Sequence, residues 1–449
     1  MDAPWRGREL PSGFVVAVAL VAVYVPLRAA GSPEPWTLAW LVAAVAATLV
    51  SPACGLTILA AIGPFTQAVG DDGRISAVPF LLAALGAGTA VRLVIARPWP
   101  RPSLPLILAA IVFMGTAVGV LITTLSFGLD RGMQGAQLWV PGIGGAMTVL
   151  ICSAWVASRG DLRPLLVATA SVSVGATLSL LNLASGDELR TSLLAWLLRA
   201  DIDPNRLGGL IPAPNAAAAI FLVGFSVAAG LALLHWRREV RFVALGAAAV
   251  QLVALALTHS RAALLGLCLA GAVLIWRRWR RLGRLTAFAV VIVAAAVAIS
   301  AGIIRDVPVV ADENRLAAWV ASVRMWLDHP LVGAGFRSFE WLHGQYGSPI
   351  LDAPHNEWLR FFAEEGTFVG VAGVVFALVT PISLLRVPGY VGAGAAAAAA
   401  GLFMMASFNN PFLYPQVNVP GFLIIGAGLG LALRRFDEPS EPGESPTHT

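Results

Sequence analysis

Residues that could carry chemistry are concentrated in positions 305–365, between two strongly apolar stretches. These positions hold three of the chain's six histidines, nine of its 25 acidic residues and five of its arginines. Near their end, His355 is followed by Asn356 and Glu357. Histidine is the side chain most often used for proton transfer near neutral pH, and arginine binds anions through a planar set of donors. The pattern therefore predicts a general base beside an anion site.

Arg261 stands between two apolar runs, directly after Thr258-His259-Ser260, with almost no room for a loop. It must therefore lie at membrane depth or at the membrane edge. An arginine that extends its charge to the interface would explain this position. A guanidinium held for phosphate oxygens would also explain it. The sequence leaves both interpretations open.

Arg206 lies in a loop rich in proline, glycine and asparagine, shortly before an apolar helix that starts near Asn215. Such a composition is typical of turns. The N-terminus of a helix also favours negative charge. Arg206 is therefore either a turn residue or an anion ligand beside that helix.

A helix is predicted over residues 314–327, with an apolar stripe that packs on the membrane domain or lies in the membrane interface. Arg315 would open this helix, where the helix dipole disfavours a cation. A salt bridge to Asp312 or Glu313, or an external anion, would offset that cost. His329 follows the helix and is expected to cap it rather than to catalyse.

The next helix is predicted to start with Asp352 as its N-cap and Pro354 in its first turn. His355 would then lie in the same turn, where the positive helix end favours neutral imidazole. Neutral imidazole is the form that a general base needs. The spacing of the histidines contains neither HxxxH nor HExxH, so no metal site is expected.

The composition determines the setting of these groups. The chain has 449 residues, 58% hydrophobic and 12% charged, which predicts an all-α polytopic membrane protein. Its apolar runs divide into 12 to 14 spans, some of them, such as 36–50 and 262–276, shorter than the roughly 20 residues that a crossing needs. The net charge of +5 does not indicate nucleic acid, because most arginines lie in short loops. The three cysteines lack paired spacing and are expected in the core.

The predicted organisation has four parts. Residues 1–304 form transmembrane helices with short loops, and residues 305–365 form one large helical periplasmic loop with amphipathic helices. Residues 366–435 form the C-terminal transmembrane helices, and residues 436–449 form a disordered cytoplasmic tail. The arginine-rich loops fall on one side, which predicts that both termini are cytoplasmic and that the large loop faces the periplasm of a bacterial inner membrane.

Several short motifs, taken in order, resemble those of the O-antigen ligase and polymerase superfamily. Each motif is weak alone, and the specificity comes from their order and shared side of the membrane. The motifs are Arg206 with Pro214-Asn215, Thr258-His259-Ser260-Arg261-Ala262, Asn314-Arg315 with Trp319, the turn from His329 to Phe336, His355-Asn356-Glu357-Trp358-Leu359, and Glu364-Glu365-Gly366.

This resemblance implies a GT-C-like membrane glycosyltransferase without metal or cofactor. The donor would be a glycan on undecaprenyl pyrophosphate, and the acceptor a hydroxyl of a lipid or glycan. Arg261 and Arg315 match arginines that engage the pyrophosphate, and His355 matches the essential histidine, here the base of an inverting transfer. The predicted substrate-binding residues are Arg206, Asn215, Asn356 and Glu357.

The acceptor is open within the superfamily. A ligase acting on lipid A core is favoured over a polymerase that extends a lipid-linked repeat, and a protein acceptor such as pilin is a third option. A transporter or flippase of lipid-linked glycan would use the same arginines. It should, however, carry charges near the bilayer midplane, broken helices or repeats. A purely structural membrane subunit would give no reason for the set of arginines and histidine.

Overall fold

The computed structural model describes residues 12–29, 34–65, 76–95, 102–185, 207–208, 213–278, 309–349 and 353–437. Every regular element in these ranges is helical. Nine helical runs among them are long and apolar enough to cross a membrane. The prediction of an all-α polytopic membrane protein is therefore confirmed.

The N-terminal part contains eight helices within the described ranges. They are α1 (Ser12–Ala29), α2 (Glu34–Val50), α3 (Pro52–Ile62), α4 (Ala77–Ile95), α5 (Leu104–Phe127), α6 (Leu129–Trp139), α7 (Ile143–Ser158) and α8 (Arg163–Ala184). A further eight follow: α9 (Pro214–Leu234), α10 (Arg238–Leu257), α11 (Arg261–Arg278), α12 (Val309–Asp328), α13 (Ser338–Leu342), α14 (Glu357–Leu385), α15 (Gly389–Ala406) and α16 (Pro415–Asp437).

Two of the apolar runs that the sequence predicts as spans, 53–69 and 285–304, extend beyond the described residues. Of the run predicted over 53–69, the described residues form α3, which has 11 residues, and the short 3-10 helix Gly63–Phe65. Eleven residues extend about 16 Å, roughly half of the hydrocarbon thickness. The span predicted over 285–304 lies outside the described residues, so the total of 12 to 14 stays a prediction.

Helix α6 was not predicted, since the apolar runs on either side of it end at 127 and resume at 139. It contains Asp130 and Arg131 on one face and is therefore amphipathic rather than spanning. Such a helix suits the membrane interface, with its apolar face towards the hydrocarbon. It leaves α5 directly after Gly128, whose φ of 89° allows the sharp change of direction.

Helix α15 is rich in alanine and glycine and is buried along nearly its whole length. Small side chains let helix backbones approach closely inside a membrane. A Cβ atom added to Gly266 of α11 would lie 2.8 Å from the carbonyl oxygen of Gly401 in α15. One added to Gly230 of α9 would lie 3.1 Å from the amide nitrogen of Gly394. Helices α9 and α11 therefore pack backbone to backbone on α15.

The contact between α7 and α16 has the same character and supports a stability prediction. A Cβ added to Gly426 would lie 1.9 Å from Ser153 Oγ and 2.3 Å from the Leu150 carbonyl oxygen. We expect Gly426→Ala to destabilise the fold by about 1–3 kcal/mol through overpacking, measured by thermal unfolding in detergent. Gly246→Ala is the matched control, because nothing lies within 4 Å of its added Cβ. Equal effects of the two substitutions would contradict the close packing.

Candidate functional site at one end of helix α15

Contacts with α15 show which end of the bundle each neighbouring helix reaches. Next to it, α11 runs antiparallel: Gly266 meets Gly401, and at the other end the Arg277 guanidinium donates to the carbonyl of Val387, just before α15, at 2.7 Å. Moving five residues along each helix from the glycine contact, about 7.5 Å, brings Arg261 to the level of Ala406. Arg261 thus lies at the C-terminal end of α15, which we call the site end.

Asn215 reaches the same end from α9. A Cβ on Gly401 would meet Leu222 at 3.0 Å, and the Gly230 contact lies further towards the start of α15, so α9 and α15 are also antiparallel. Seven residues separate Asn215 from Leu222, a rise of about 10 Å. Asn215 is therefore level with Phe408, just past the end of α15.

Asn356 fastens the start of α14 to the site end. Its Oδ1 accepts hydrogen bonds from the amides of Trp358 and Leu359, at 3.1 and 3.0 Å, so it caps α14. Its Nδ2 donates to the carbonyl of Ser407 at 2.9 Å. The indole of Trp358 donates to the Ser407 hydroxyl at 3.1 Å. Both ends of the Asn356 amide are therefore engaged within the protein.

This cap corrects the predicted start of the helix. The N-cap is Asn356 rather than Asp352, which lies outside the described residues, and neither Pro354 nor His355 is in the first turn. The predicted position of His355 within the first turn was therefore wrong, and its protonation state stays a prediction. His355 is instead a half-buried residue with a φ of 52°, a left-handed conformation uncommon for residues other than glycine. Such backbone strain is concentrated at functional sites.

Arg315 approaches the site end on α12. That helix begins at Val309, not at Asn314 as predicted, so Arg315 lies in its second turn and does not open it. Trp319 follows one turn later on the same face, and its ring lies 6.4 Å from that of Phe408. Phe408 follows Ser407, the residue bonded to Asn356. Arg315 and His355 therefore belong to elements that meet at one short loop.

The apolar stripe predicted for α12 is mostly exposed: Leu316 and Leu327 are 59% and 63% exposed. The buried face of α12 instead carries Ala318, Ala321 and Met325, which pack with Phe339 and Ala363 in a small second core. Exposure of the stripe favours the second of the two predicted locations, the membrane interface.

The turn before α11 explains how Arg261 is presented. Thr258 and Ser260 are buried, and the Ser260 hydroxyl accepts from the amide of Ala263 at 3.4 Å, as an N-cap does. Arg261 is then the first residue of α11 and is half-buried. The amide of Leu207 donates to the Leu257 carbonyl at 3.0 Å, which brings the chain beside this turn. Arg206, the preceding residue, lies outside the described residues.

A buried ladder of charges runs along α14 away from the site end. Glu357, Arg360 and Glu364 are each no more than 3% exposed. The Arg360 guanidinium bonds Glu357 and lies 3.4 Å from Glu364 Oε2. Asn410 Nδ2 donates to Glu357 Oε2 at 3.0 Å. Glu357, predicted to bind substrate, is thus held between Arg360 and the loop that follows α15.

The glycine-rich turn after α12 forms backbone hydrogen bonds with α14 at the point where that helix is interrupted. Gly366 has φ 81° and ψ −178°, so α14 consists of two segments. The carbonyls of Ala363 and Glu364, exposed by the break, accept the amides of Ala334 and Gly335 at 3.1 and 2.8 Å. Across the break, the amide of Thr367 donates to Pro330 at 2.8 Å. The turn satisfies backbone groups that would otherwise be buried without partners.

Glu364 orders the next residues of the same turn. Its carboxylate accepts the amides of Arg337 at 2.9 Å and Phe339 at 3.3 Å. Arg337 has a φ of 66°, and a left-handed residue before a helix forms a concave nest of amides that suits an anion. Here the anion is the carboxylate of Glu364. The turn is therefore bonded to the buried charged residues of α14.

Helices α5 and α6 support this turn from the other side. The amide of Phe336 donates to the Gly119 carbonyl at 3.1 Å, and the Thr123 hydroxyl donates to the Phe336 carbonyl at 2.8 Å. The Arg131 guanidinium of α6 lies 4.9 Å from the Trp341 ring. The loop predicted over 305–365 is therefore bound into the helical bundle along residues 330–341.

Comparison with known proteins agrees with these motifs. Residues 246–375 match the family model described as O-antigen ligase. The match covers less than a third of the chain and supports its resemblance to the O-antigen ligase and polymerase superfamily. Arg261, Arg315 and His355 lie inside the O-antigen ligase match, whereas Arg206 and Asn215 precede it. No curated protein matches the chain.

The O-antigen ligase segment is thus completed by residues that sequence reasoning left without a role. Ser407, Phe408 and Asn410 hold the start of α14 and contact α12. The sequence signal was the polarity of Ser407 and Asn410 between two apolar runs, and Phe408 gave none. Among the described residues, no three His, Cys, Asp or Glu side chains are grouped so as to hold a metal ion. Metal independence remains a prediction.

Proposed function

We propose that this membrane enzyme transfers a glycan from undecaprenyl pyrophosphate to an acceptor hydroxyl on the periplasmic side, with inversion, and that lipid A core is the acceptor. The observation that carries the proposal is the convergence on residues 407–410. Four helices bring Asn215, Arg261, Arg315 and His355 to that level. Three of these residues lie within the O-antigen ligase match.

The proposed chemistry needs a base and a stabiliser of the leaving group. The acceptor oxygen attacks the anomeric carbon from the face opposite the pyrophosphate, the carbon–oxygen bond to pyrophosphate breaks, and His355 takes the hydroxyl proton. Arg261 and Arg315 neutralise the charge that develops on the departing pyrophosphate. The N-terminus of α11 adds a partial positive charge beside Arg261.

We assign Asn356 and Glu357 to positioning rather than to direct substrate contact. The amide of Asn356 is used by its own helix and by Ser407, and the Glu357 carboxylate is used by Arg360 and Asn410. Together they fix the backbone on which His355 stands. Asn215 is kept as a proposed substrate ligand because of its level beside residues 407–410. Arg206 is proposed because its neighbour Leu207 hydrogen-bonds to Leu257, next to the turn before α11.

The proposed orientation follows from the arginines at the other end of the bundle. That end includes Arg159 and Arg386, which follow α7 and α14, Arg163 at the start of α8, and Arg277 in the last turn of α11. Cytoplasmic loops retain positive charge, so this end is assigned to the cytoplasm and the site end to the periplasm. The exposed apolar face of α12 would lie in the outer interface.

The test is reconstitution with a glycan on undecaprenyl pyrophosphate and lipid A core. We expect Arg261→Gln and Arg315→Gln each to lower the transfer rate by about 10²–10³-fold, as loss of a transition-state donor does. Arg324→Gln is the matched control, because Arg324 lies on the same helix as Arg315 and is exposed. Addition of EDTA should leave the rate unchanged.

The products separate the alternatives. Glycan on lipid A core supports a ligase, whereas longer lipid-linked chains would identify a polymerase. Movement of donor across vesicles without a new glycosidic bond would identify a flippase. Full transfer by both arginine variants would refute the pyrophosphate assignment.

A further inference from the structure

A cleft lined by two arginines lies at the opposite end of the bundle from the candidate site. A cleft of about 300 Å³ opens between the last turn of α9 and the first two turns of α10. Its lining residues are Ala232, Leu233, Arg238, Arg241, Phe242 and Leu245. None of them takes part in the proposed transfer reaction, and the cleft belongs to neither the ladder on α14 nor the loop at residues 407–410.

The residues that α10 contributes are graded from charged to apolar. Positions 238, 241, 242 and 245 lie on one face of a helix, with both arginines at its start and Phe242 and Leu245 further in. Seven residues correspond to a rise of about 10 Å. One face thus changes from cationic to apolar over the distance between a lipid phosphate and the upper part of its acyl chains.

The two guanidinium groups are held in place at the mouth of the cleft. Arg241 Nε donates to the Ala232 carbonyl at 2.9 Å, which satisfies a carbonyl in the last turn of α9. Within the described residues its terminal nitrogens make no hydrogen bond to protein. The Arg238 guanidinium lies 5.7 Å from the Phe242 ring. Both arginines are exposed, so they can reach a ligand without losing a protein contact.

The surroundings match a membrane surface. Trp236 is 73% exposed, and Arg237 lies 4.7 Å from its ring. Tryptophan is enriched at the level of lipid headgroups. Phe242, Val243 and Leu245 are 62%, 76% and 58% exposed. Glu239 is the acidic residue of this turn, and three arginines outnumber it, so the mouth of the cleft is cationic.

We propose that this cleft binds one anionic phospholipid. Arg238 and Arg241 hold the phosphate, and the upper part of an acyl chain lies on Phe242 and Leu245. An acidic soluble ligand would use the arginines but would leave the apolar floor without a partner. Anionic lipids attract basic residues beside transmembrane helices, and this cleft adds a fixed shape to that attraction. The inference does not depend on the transfer reaction.

The test compares lipid retention by the purified full-length chain in detergent. Wild-type protein is mixed with phosphatidylglycerol or phosphatidylcholine, and bound lipid is counted by native mass spectrometry. We expect one phosphatidylglycerol to be retained preferentially. The double variant Arg238→Gln and Arg241→Gln should bind it about 30-fold more weakly, because each arginine near an anionic lipid contributes about a factor of five.

Two further variants distinguish binding of lipid in the cleft from non-specific attraction of anionic lipid to arginines. Ala232→Trp fills the cleft and keeps every arginine, and we expect it to lose the retained lipid as well. Arg386→Gln removes an exposed arginine from the C-terminal end of α14, outside the cleft lining, and should leave retention unchanged. Equal retention of both lipids by wild type, or undiminished retention by Ala232→Trp, would overturn the proposal.

Discussion

Replacing Arg360 with methionine is expected to lower the free energy of unfolding by about 3–5 kcal/mol, the cost of removing one partner from a buried ion pair. Arg360 is 3% exposed and is the cation between Glu357 and Glu364. Glu365, also buried, lies next in the chain to Glu364. Methionine keeps much of the volume but leaves the carboxylates without their cation. Reversible unfolding in mixed micelles measures the change.

A second ion pair of the same region provides the control. Arg337 and Glu340 are paired with their side chains 31% and 28% exposed, and ion pairs accessible to solvent contribute about 0–1 kcal/mol. Glu340→Gln should therefore have a small effect. The variant that combines Arg360→Met with Glu364→Gln should lose less stability than the sum of the single variants, because one unpaired charge is then removed. Additive losses would contradict the ladder.

A candidate site could be proposed from the sequence because it contains residue types that a membrane segment normally excludes. Arg261 stands out against its apolar neighbours and His355 against the apolar helix that follows it. Their side of the membrane stays a prediction from the arginine-rich loops. The helical class is equally direct, since apolar runs of this length must form helices in lipid. The candidate residues and the helical class can both be recognised from short stretches of sequence, without knowledge of tertiary contacts.

The supports of the site could not be predicted in the same way. Asn356 caps α14 and binds Ser407, a residue about fifty positions later, and no local pattern specifies that pairing. Asp352 is as good an N-cap type as Asn356, so composition could not choose between them. Helix α6 was missed because an amphipathic interface helix lacks the long apolar run by which spans are recognised. Tertiary contacts decided each of these points.

Replacing His355 with asparagine is expected to lower the transfer rate by about 10²–10⁴-fold, the usual contribution of a positioned base, while the protein stays folded. Asparagine adopts left-handed conformations more readily than most residues, so it can retain the φ of 52° seen at this position. It cannot accept the hydroxyl proton. The measurement is the initial rate of glycan transfer at saturating donor, together with thermal unfolding in detergent.

His329→Asn is the matched control. His329 is exposed and follows α12, where its amide bonds Met325 and Trp326 within the backbone. Its side chain has no part in the proposed reaction, so the variant should transfer glycan at close to the wild-type rate. A loss equal to that of His355→Asn would assign the effect to general disturbance of the loop rather than to proton transfer.

The backbone strain at His355 allows its two contributions to be separated. Glycine tolerates a positive φ at no steric cost, so His355→Gly removes the imidazole without opposing the turn that precedes Asn356. If the side chain acts as a base, added imidazole should restore part of the rate of His355→Gly, because a small molecule can occupy the vacated volume and accept the proton. Imidazole should not restore Arg261→Gln, whose defect lies in stabilising the leaving group. Failure of rescue, combined with normal donor binding, would leave His355 a positioning residue and would require another base among the groups that meet at residues 407–410.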